Sequence, residues 1–179
     1  CRMQDDNGRV VKERYLDVNG DPVARYGNYY GLSYEYDEIS TVITYLGAEG
    51  NPIICSDGYS TIVRTLVDGR DSEDFYYDLN GQQVQCAGEY YGLHREYNSD
   101  GQNTSLTFLD KDGHAVSTSS GYAIKTYQRD GNGTIVVEQY FDTEGNPARS
   151  LLGQYGELYQ RNEQGYISQI TYLGADGNP

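Results

Sequence analysis

Short segments rich in apolar residues alternate with polar turns along the whole chain. LSYEYD (32–37), TIVRTLVD (61–68) and AIKTYQRD (123–130) are rich in Tyr, Ile, Val and Thr, the residue types enriched in β-strands. Between such segments stand D-x-x-G or N-x-x-G sequences. There Asp or Asn favours the start of a type I turn, and the glycine takes the positive φ of a G1 bulge. The pattern predicts strands joined by tight turns, and no helix.

An aromatic residue, called here the anchor aromatic, recurs at steps of 30, 31, 32, 32 and 32 residues: Tyr15, Tyr45, Tyr76, Phe108, Tyr140 and Tyr172. A glycine follows each anchor by five residues, and another precedes it by seven, with Glu38 as the one exception. The sequence therefore predicts one array of repeats of about 32 residues. Their approximate bounds are 1–27, 28–57, 58–87, 88–120, 121–152 and 153–179.

A longer period is visible two residues before each anchor, where acidic and apolar residues alternate: Glu13, Ile43, Asp74, Leu106, Glu138 and Ile170. This indicates a true period of about 64 residues, an odd repeat followed by an even one. It also accounts for ITYLGAEGNP at 43–52 and ITYLGADGNP at 170–179, which both belong to even repeats. We expect odd repeats to expose this position to water and even repeats to bury it.

Such repeats need neighbours, because a lone hairpin is marginally stable in water. Each anchor aromatic and the residue after it point to opposite faces of a strand, so both faces of the sheet need some cover. The sequence predicts an all-β fold, either a β-solenoid or an elongated array of stacked β-hairpins. Neither end has a polar capping repeat, so we expect the natural protein to be longer or to join end to end.

Composition changes this picture mainly through charge and tyrosine. The chain has 20 Tyr, 22 Gly and no Trp, and only 37% of its residues are hydrophobic, so tyrosine rings must supply much of the buried area. A formal charge of -14 argues against nucleic acid or an anionic membrane surface as partner. No run of residues is long and apolar enough to span a membrane, and no signal peptide is visible.

Two families resemble parts of the chain. FYYDLNGQQVQCAGEYYG (75–92) resembles the Y-Y-x-D-x-x-G-x-x-V repeats of Gram-positive cell-wall-binding, glucan-binding and clostridial toxin receptor-binding modules. YEYDEIS (34–40) and REYNSDGQ (95–102) resemble the Y-D-x-x-G core of the tyrosine-aspartate repeats in rearrangement-hotspot proteins and teneurins. The chain departs from the first family in its lack of Trp and its longer repeat.

The first resemblance implies binding of glycan or cell-wall polymer by aromatic stacking, at a bacterial cell surface. The second implies an extracellular shell or stalk. Neither implies catalysis, and no nucleophile elbow, phosphate loop or zinc-ligand spacing occurs in the sequence. The histidines, His94 and His114, stand in repeat columns that hold ordinary residues elsewhere. We therefore expect no enzyme activity.

Calcium is a possible cofactor. DVNGD and DKDGH place oxygen-bearing side chains at alternate positions, as calcium loops do: Asp17, Asn19 and Asp21 in the first, Asp110 and Asp112 in the second. The twelfth-position acid of an EF-hand is missing, and Gly47 and Gly174 replace the leading Asp in two repeats. The alternative is that Asp and Gly simply form the turns.

Tyrosines in the looser segments between hairpins are the candidate ligand contacts: Tyr30, Tyr91, Tyr122 and Tyr155. Their rings could stack on sugar faces while their hydroxyls form hydrogen bonds. The alternative is that the tyrosines form cross-strand ladders that hold the sheet together.

Cys55 and Cys86 occupy equivalent positions in adjacent repeats, in a column that holds Arg25, Thr118 and Ser150 elsewhere, so we expect both to be exposed. One strand spacing between them would suit a disulfide, whereas two spacings, roughly 10 Å, would not. A bond would favour an oxidising, extracellular setting.

The sequence thus supports two hypotheses. The first is a non-enzymatic extracellular module that binds glycan or cell-wall polymer through exposed tyrosines. The second is a structural spacer or filament-forming surface protein, without a small-molecule ligand, whose partners are further copies of itself end to end.

Overall fold

The computed structural model describes all residues from 1 to 179 as an all-β protein without helices. Its strands are β1 (Arg2–Gln4), β2 (Val10–Arg14), β3 (Gly31–Tyr36), β4 (Ser40–Leu46), β5 (Thr61–Val67), β6 (Arg70–Tyr77), β7 (Gly92–Tyr97), β8 (Asn103–Leu109), β9 (Ile124–Arg129), β10 (Ile135–Phe141), β11 (Gly156–Arg161) and β12 (Ile167–Leu173). They form one 12-stranded antiparallel sheet whose strand order is the order along the chain. The prediction of an all-β fold built from hairpins is confirmed. With no helix present, none could span a membrane.

The chain divides into two compact units, Cys1–Gly92 and Leu93–Pro179. In the first unit, β1 to β6 pair successively, as in Thr44 opposite Thr61 and Ile62 opposite Tyr76. In the second unit, β8 to β12 do the same, as in Leu106 opposite Lys125.

The D-x-x-G and N-x-x-G turns have the predicted geometry. In the turn that follows β2, the amide of Asp17 donates to the carbonyl of Asp21 at 2.9 Å, and Gly20 donates back to Asp17 at 3.2 Å with a φ of 89°. The hairpin turn after β3, where Glu38 replaces the glycine, is one residue shorter and closes between Asp37 and Ser40. Turn chemistry at this scale is local, which is why the sequence reveals it.

Aromatic rings on one face of the sheet form a ladder. Anchor aromatics alternate with tyrosines from the turns between hairpins, and successive ring centroids in the first unit lie 4.4 to 5.9 Å apart. The members are Tyr15, Tyr29, Tyr45, Tyr59, Tyr76 and Tyr90 in the first unit, and Phe108, Tyr122 and Tyr140 in the second. We call this side the ladder face. The residues after the anchors lie on the opposite face, where Leu46, Leu109 and Leu173 are buried.

The expected exposure of the acidic column is wrong. Asp74 is 2% exposed, and the side chains of Glu13 and Glu138 are 14% and 17% exposed. A basic residue on the other strand of the same hairpin pairs with each acid: Arg2 with Glu13 at 2.7 Å, Arg64 with Asp74 at 2.7 Å and Lys125 with Glu138 at 3.0 Å. In the even repeats Ile43 faces Tyr34 instead, and Ile170 is 47% exposed. The acidic positions therefore mark charge-paired hairpins, whereas Ile43 and Ile170 each face a tyrosine.

Glycine at the start of β7 permits a close approach between strands. A Cβ at Gly92 would lie 2.5 Å from the Asp74 carbonyl oxygen and 2.7 Å from the ring of Phe75. Gly31 and Gly156 occupy the same place against the carbonyls of Glu13 and Glu138. These contacts explain why even repeats carry glycine where odd repeats carry Thr61 or Ile124.

We expect Gly92→Ala to lower the free energy of unfolding by about 1–3 kcal/mol, because backbone must move to admit the methyl group. Gly131→Ala is the matched control, since nothing lies within 4 Å of its Cβ position. That variant should change stability by less than about 0.5 kcal/mol. Urea unfolding of both proteins measures the difference, and equal effects would contradict the close approach at Gly92.

Candidate functional site

A groove of about 530 Å³ lies on the face opposite the ladder in the first unit. Its floor comes from β4, β5 and β6, and the turn after β6 forms one wall. The lining residues with the most evident chemistry are Thr44, Ser60, Thr61, Val63, Tyr77 and Asp78. The groove therefore combines hydroxyl, aromatic and aliphatic groups.

Strand register brings the floor of the groove together. Thr44 lies opposite Thr61 across β4 and β5, and Thr61 lies opposite Tyr77 across β5 and β6. The hydroxyl oxygens of the two threonines are 3.5 Å apart. Three neighbouring strands therefore place two hydroxyls and a phenol ring in one row.

Ser60 contributes a buried hydroxyl without a hydrogen-bond partner. The residue is 1% exposed, and its Oγ neither donates nor accepts a hydrogen bond within the protein. Its backbone is fixed, because its amide donates to Tyr77 at 2.8 Å and its carbonyl accepts from Tyr45 at 2.9 Å. A buried polar atom without a hydrogen-bond partner costs free energy, and Ser60 is one of the residues that line the groove.

Charge at the groove rim is negative. Asp78 accepts hydrogen bonds from the amides of Gln82 and Asn80, both at 2.8 Å, and the Gln82 bond above all lowers the pKa of its carboxyl. Asp78 is therefore ionised at neutral pH, and no Lys or Arg lines the groove. This electrostatic environment disfavours an anionic ligand and suits a neutral, hydroxyl-rich one.

The second unit has a corresponding groove of about 340 Å³. It is lined by Thr107, Thr126, Phe141 and Gly145, which stand at the repeat positions of Thr44, Val63, Tyr77 and Gly81, respectively. Phe141 lacks the phenol hydroxyl, and Ile124 stands where the first unit has Thr61. The second groove is smaller and offers a different set of polar groups.

None of the four predicted ligand-contact tyrosines lines the groove of either unit. Tyr30 and Tyr91 are half-buried in the first unit, where their carbonyls accept from the amides of Tyr15 and Tyr76. Tyr155 is half-buried in the second unit, and its hydroxyl accepts from Arg149 Nε at 3.0 Å. Tyr122 stacks on Tyr140, with ring centroids 4.4 Å apart, and so belongs to the ladder.

The predicted calcium residues lie in turns. Asp17 accepts the amides of Asp21 and Asn19, at 2.9 and 2.8 Å, and the Asp21 bond above all lowers the pKa of its carboxyl. Asp110 similarly accepts the amides of His114 and Asp112, both at 2.9 Å. No group of three or more His, Cys, Asp or Glu side chains is placed to hold a metal ion. Calcium binding in these turns stays a prediction.

The cysteines are not exposed as expected. Cys55 and Cys86 are 4% and 7% exposed, and both are free thiols in the structure. The turns that hold the two cysteines are in direct contact, because the amide of Ala87 donates to the carbonyl of Asp57 at 2.8 Å. A disulfide between Cys55 and Cys86 stays a prediction. Burial also raises the pKa of the Cys55 thiol.

Thr44, Ser60, Thr61 and Tyr77 are the candidate functional residues that sequence reasoning missed. One signal was available: the residue before the anchor aromatic is Thr in every even repeat, at Thr44, Thr107 and Thr171. In odd repeats it is Arg14, Phe75 or Gln139. Because the even repeats carry this hydroxyl and the odd repeats do not, the two kinds of repeat differ chemically at this position.

No protein-family model matches the chain, and no curated protein is significantly similar to it. The class that the structure defines is therefore broad: an all-β protein of sequential antiparallel hairpins, with an aromatic ladder on one face and grooves on the other.

Proposed function

We propose that the chain is a non-enzymatic repeat module that binds glycan or cell-wall polymer outside the cell, with the ligand in the groove of the first unit. The observation that carries this proposal is the lining of the groove, where Thr44 and Thr61 supply hydroxyls and Tyr77 an aromatic ring, together with Ser60, whose hydroxyl has no partner within the protein. A sugar ring offers apolar C–H groups to an aromatic or aliphatic wall and hydroxyls to hydrogen-bonding side chains. Ligand sites commonly combine an apolar lining with a few such polar groups.

The same proposal includes a repeat of about 32 residues with a two-repeat period, arranged as stacked hairpins rather than as a solenoid. The sequential antiparallel order of the strands supports stacked hairpins. The grooves support the longer period, because each combines an even repeat with the odd repeat after it. A bacterial cell-surface location rests on the resemblance to wall-binding and tyrosine-aspartate repeats.

A structural spacer without a small ligand is the second candidate. The five successive ring contacts from Tyr15 to Tyr90 favour it, since they join one repeat to the next without any ligand. In this alternative, the partners are further copies of the chain end to end.

A glycan array with the wild type and three variants tests the proposal. Ser60→Ala should weaken binding about threefold to tenfold while leaving the fold intact, because its hydroxyl makes no bond within the protein. Ser119→Ala, at an exposed serine of the second unit, should bind like the wild type.

The third variant replaces Tyr30, Tyr91 and Tyr155 together by Ala. Loss of binding in this variant, with Ser60→Ala unaffected, would move the site from the groove to those tyrosines. A wild type that binds no glycan or wall polymer would leave the spacer as the better function.

A further inference from the structure

The groove of the second unit has a carboxylate at one end. Glu96, an exposed residue of β7, lines this groove of about 340 Å³. The Glu96 carbonyl accepts hydrogen bonds from Asn103 Nδ2 at 2.9 Å and from Thr104 Oγ1 at 3.3 Å, which hold this end of the groove on β8. No Lys, Arg or His lines the groove, so no basic side chain in the lining neutralises the Glu96 carboxylate.

Hydroxyl groups and apolar side chains form the floor of the same groove. Across β8 and β9, Ser105 lies opposite Thr126, and Thr107 lies opposite Ile124. Across β9 and β10, Ile124 lies opposite Phe141. The floor therefore has one row with two hydroxyls, and a second row with a hydroxyl, an aliphatic side chain and an aromatic ring.

The polar groups at this end of the groove have no counterpart in the groove of the first unit. Glu35 and Val42 stand at the repeat positions of Glu96 and Ser105, and neither of them lines the first groove. Thr126 likewise stands where the first unit has an aliphatic residue, Val63. The second groove thus gains a carboxylate and two hydroxyls on the side towards β7.

The carboxylate of the first groove differs from that of Glu96 in its hydrogen bonds. Asp78 accepts the amides of Asn80 and Gln82 within its own turn, so its oxygens already have partners. Glu96 belongs to a strand and makes no such turn bonds. A carboxylate that is free of internal donors can accept from a cationic group of a ligand, and such charge-assisted hydrogen bonds are the stronger kind.

We propose that the groove of the second unit binds a sugar that carries a free amino group, with the protonated amine against the Glu96 carboxylate. The C–H face of the sugar ring packs on Ile124 and Phe141, and its hydroxyls form hydrogen bonds with Ser105 and Thr126. An apolar lining with a few fixed polar groups is the usual composition of a small-molecule site. The net charge of -14 also favours a cationic ligand over an anionic one.

This inference rests on the proposed function for the class of ligand, a sugar, and adds a second site with its own selectivity. The two sites belong to different units of the chain, so one experiment can report on each separately.

The probes are the methyl glycosides of glucose, glucosamine and N-acetylglucosamine, titrated into the ¹⁵N-labelled full chain and followed by NMR. We expect the glucosamine glycoside to cause saturable shifts centred on residues 96, 105–107 and 124–126. It should bind there about threefold or more tighter than the N-acetyl glycoside, which has the same ring but no charge. The glucose glycoside should instead shift Thr44, Ser60 and Thr61 in the first groove.

Shifts in the second groove alone would contradict the site given under the proposed function and leave the amino-sugar site standing. Shifts in the first groove alone would overturn the amino-sugar site and leave the proposed function standing.

Glu96→Gln should remove the preference for the glucosamine glycoside over the N-acetyl glycoside. Glu35→Gln is the matched control, because Glu35 is an exposed glutamate at the same repeat position outside the first groove, and it should leave binding unchanged. Thr126→Val, which introduces the residue of the first unit, removes a floor hydroxyl and should weaken binding of the glucosamine glycoside about threefold. Amide spectra establish that each variant is folded.

N-acetyl-lysinamide carries an amine without a sugar ring. If it binds the groove as tightly as the glucosamine glycoside, the site belongs to a basic peptide and the amino-sugar assignment is overturned. Equal binding of the charged and N-acetylated glycosides, or an unchanged preference in folded Glu96→Gln, would overturn it as well.

Discussion

Asp74→Ala should lower the free energy of unfolding by about 3–5 kcal/mol, because it leaves the partly buried Arg64 without its main counter-ion. Arg64 Nε and Nη2 donate to the two carboxylate oxygens of Asp74 at 2.7 and 2.9 Å, and the Asp74 side chain is 3% exposed. The hydrogen bond to Asp74 is also the main cause that raises the pKa of Arg64, so the guanidinium stays charged. Urea unfolding of the two proteins at neutral pH measures the loss.

The protein itself supplies the control for this prediction. Arg64 and Asp74 face each other across their hairpin as Tyr34 and Ile43 do in the preceding one. Arg64→Tyr combined with Asp74→Ile should therefore recover most of the lost stability, since an apolar pair can replace a buried ion pair at little cost. Arg2→Ala, at a pair whose arginine side chain is 72% exposed, should cost no more than about 1 kcal/mol. If Asp74→Ala costs no more than Arg2→Ala, the acidic column does not mark buried pairs.

Local chemistry explains which parts of the fold the sequence predicts. An Asp followed by glycine three residues later forms its turn by hydrogen bonds within five residues, as Asp17 and Gly20 do. Spacing of the anchor aromatics along the chain likewise indicates the hairpins, because each repeat is 30 to 32 residues long. These features need no knowledge of which strand lies beside which.

Features that depend on register were predicted wrongly or missed. An acidic residue two positions before an anchor predicts a side chain exposed to water as long as its partner is unknown. The pairing of Asp74 with Arg64 follows only from the register of β5 on β6. The groove has the same origin, since Thr44, Thr61 and Tyr77 are far apart in sequence and meet across three strands. The residue types at one repeat position do not reveal which residues lie side by side on neighbouring strands.

The tyrosine prediction combined two structural positions. Tyr30, Tyr91 and Tyr155 share one repeat column, whereas Tyr122 shares the column before it with Tyr29, Tyr59 and Tyr90. That earlier column faces the anchor rings and forms the ladder, as the 4.4 Å contact of Tyr122 with Tyr140 illustrates. A shift of one residue on a strand turns a side chain to the other face, so the two columns differ in environment.

Tyr76→Ala should lower the free energy of unfolding by about 3–5 kcal/mol, the cost of removing a large buried ring. Tyr76 is 4% exposed and packs between Tyr59, stacked at 4.4 Å and 22°, and Tyr90 at 5.9 Å. The loss is large because a whole domain is stable by only about 5–15 kcal/mol. Burial raises the pKa of Tyr90 to about 12, so the neighbouring phenol stays neutral and packs as an apolar ring near neutral pH. Thermal or urea unfolding measures the change.

Tyr172→Ala is the matched control for this prediction, because Tyr172 is an anchor aromatic of the same repeat column but is 58% exposed. This variant should lower the free energy of unfolding by no more than about 1 kcal/mol, since little buried apolar area is lost. Tyr76→Phe keeps the ring and should lie much closer to the wild type than Tyr76→Ala. If Tyr76→Ala and Tyr172→Ala destabilise equally, the ladder does not join the repeats. The recurrence of the anchor would then reflect strand propensity alone.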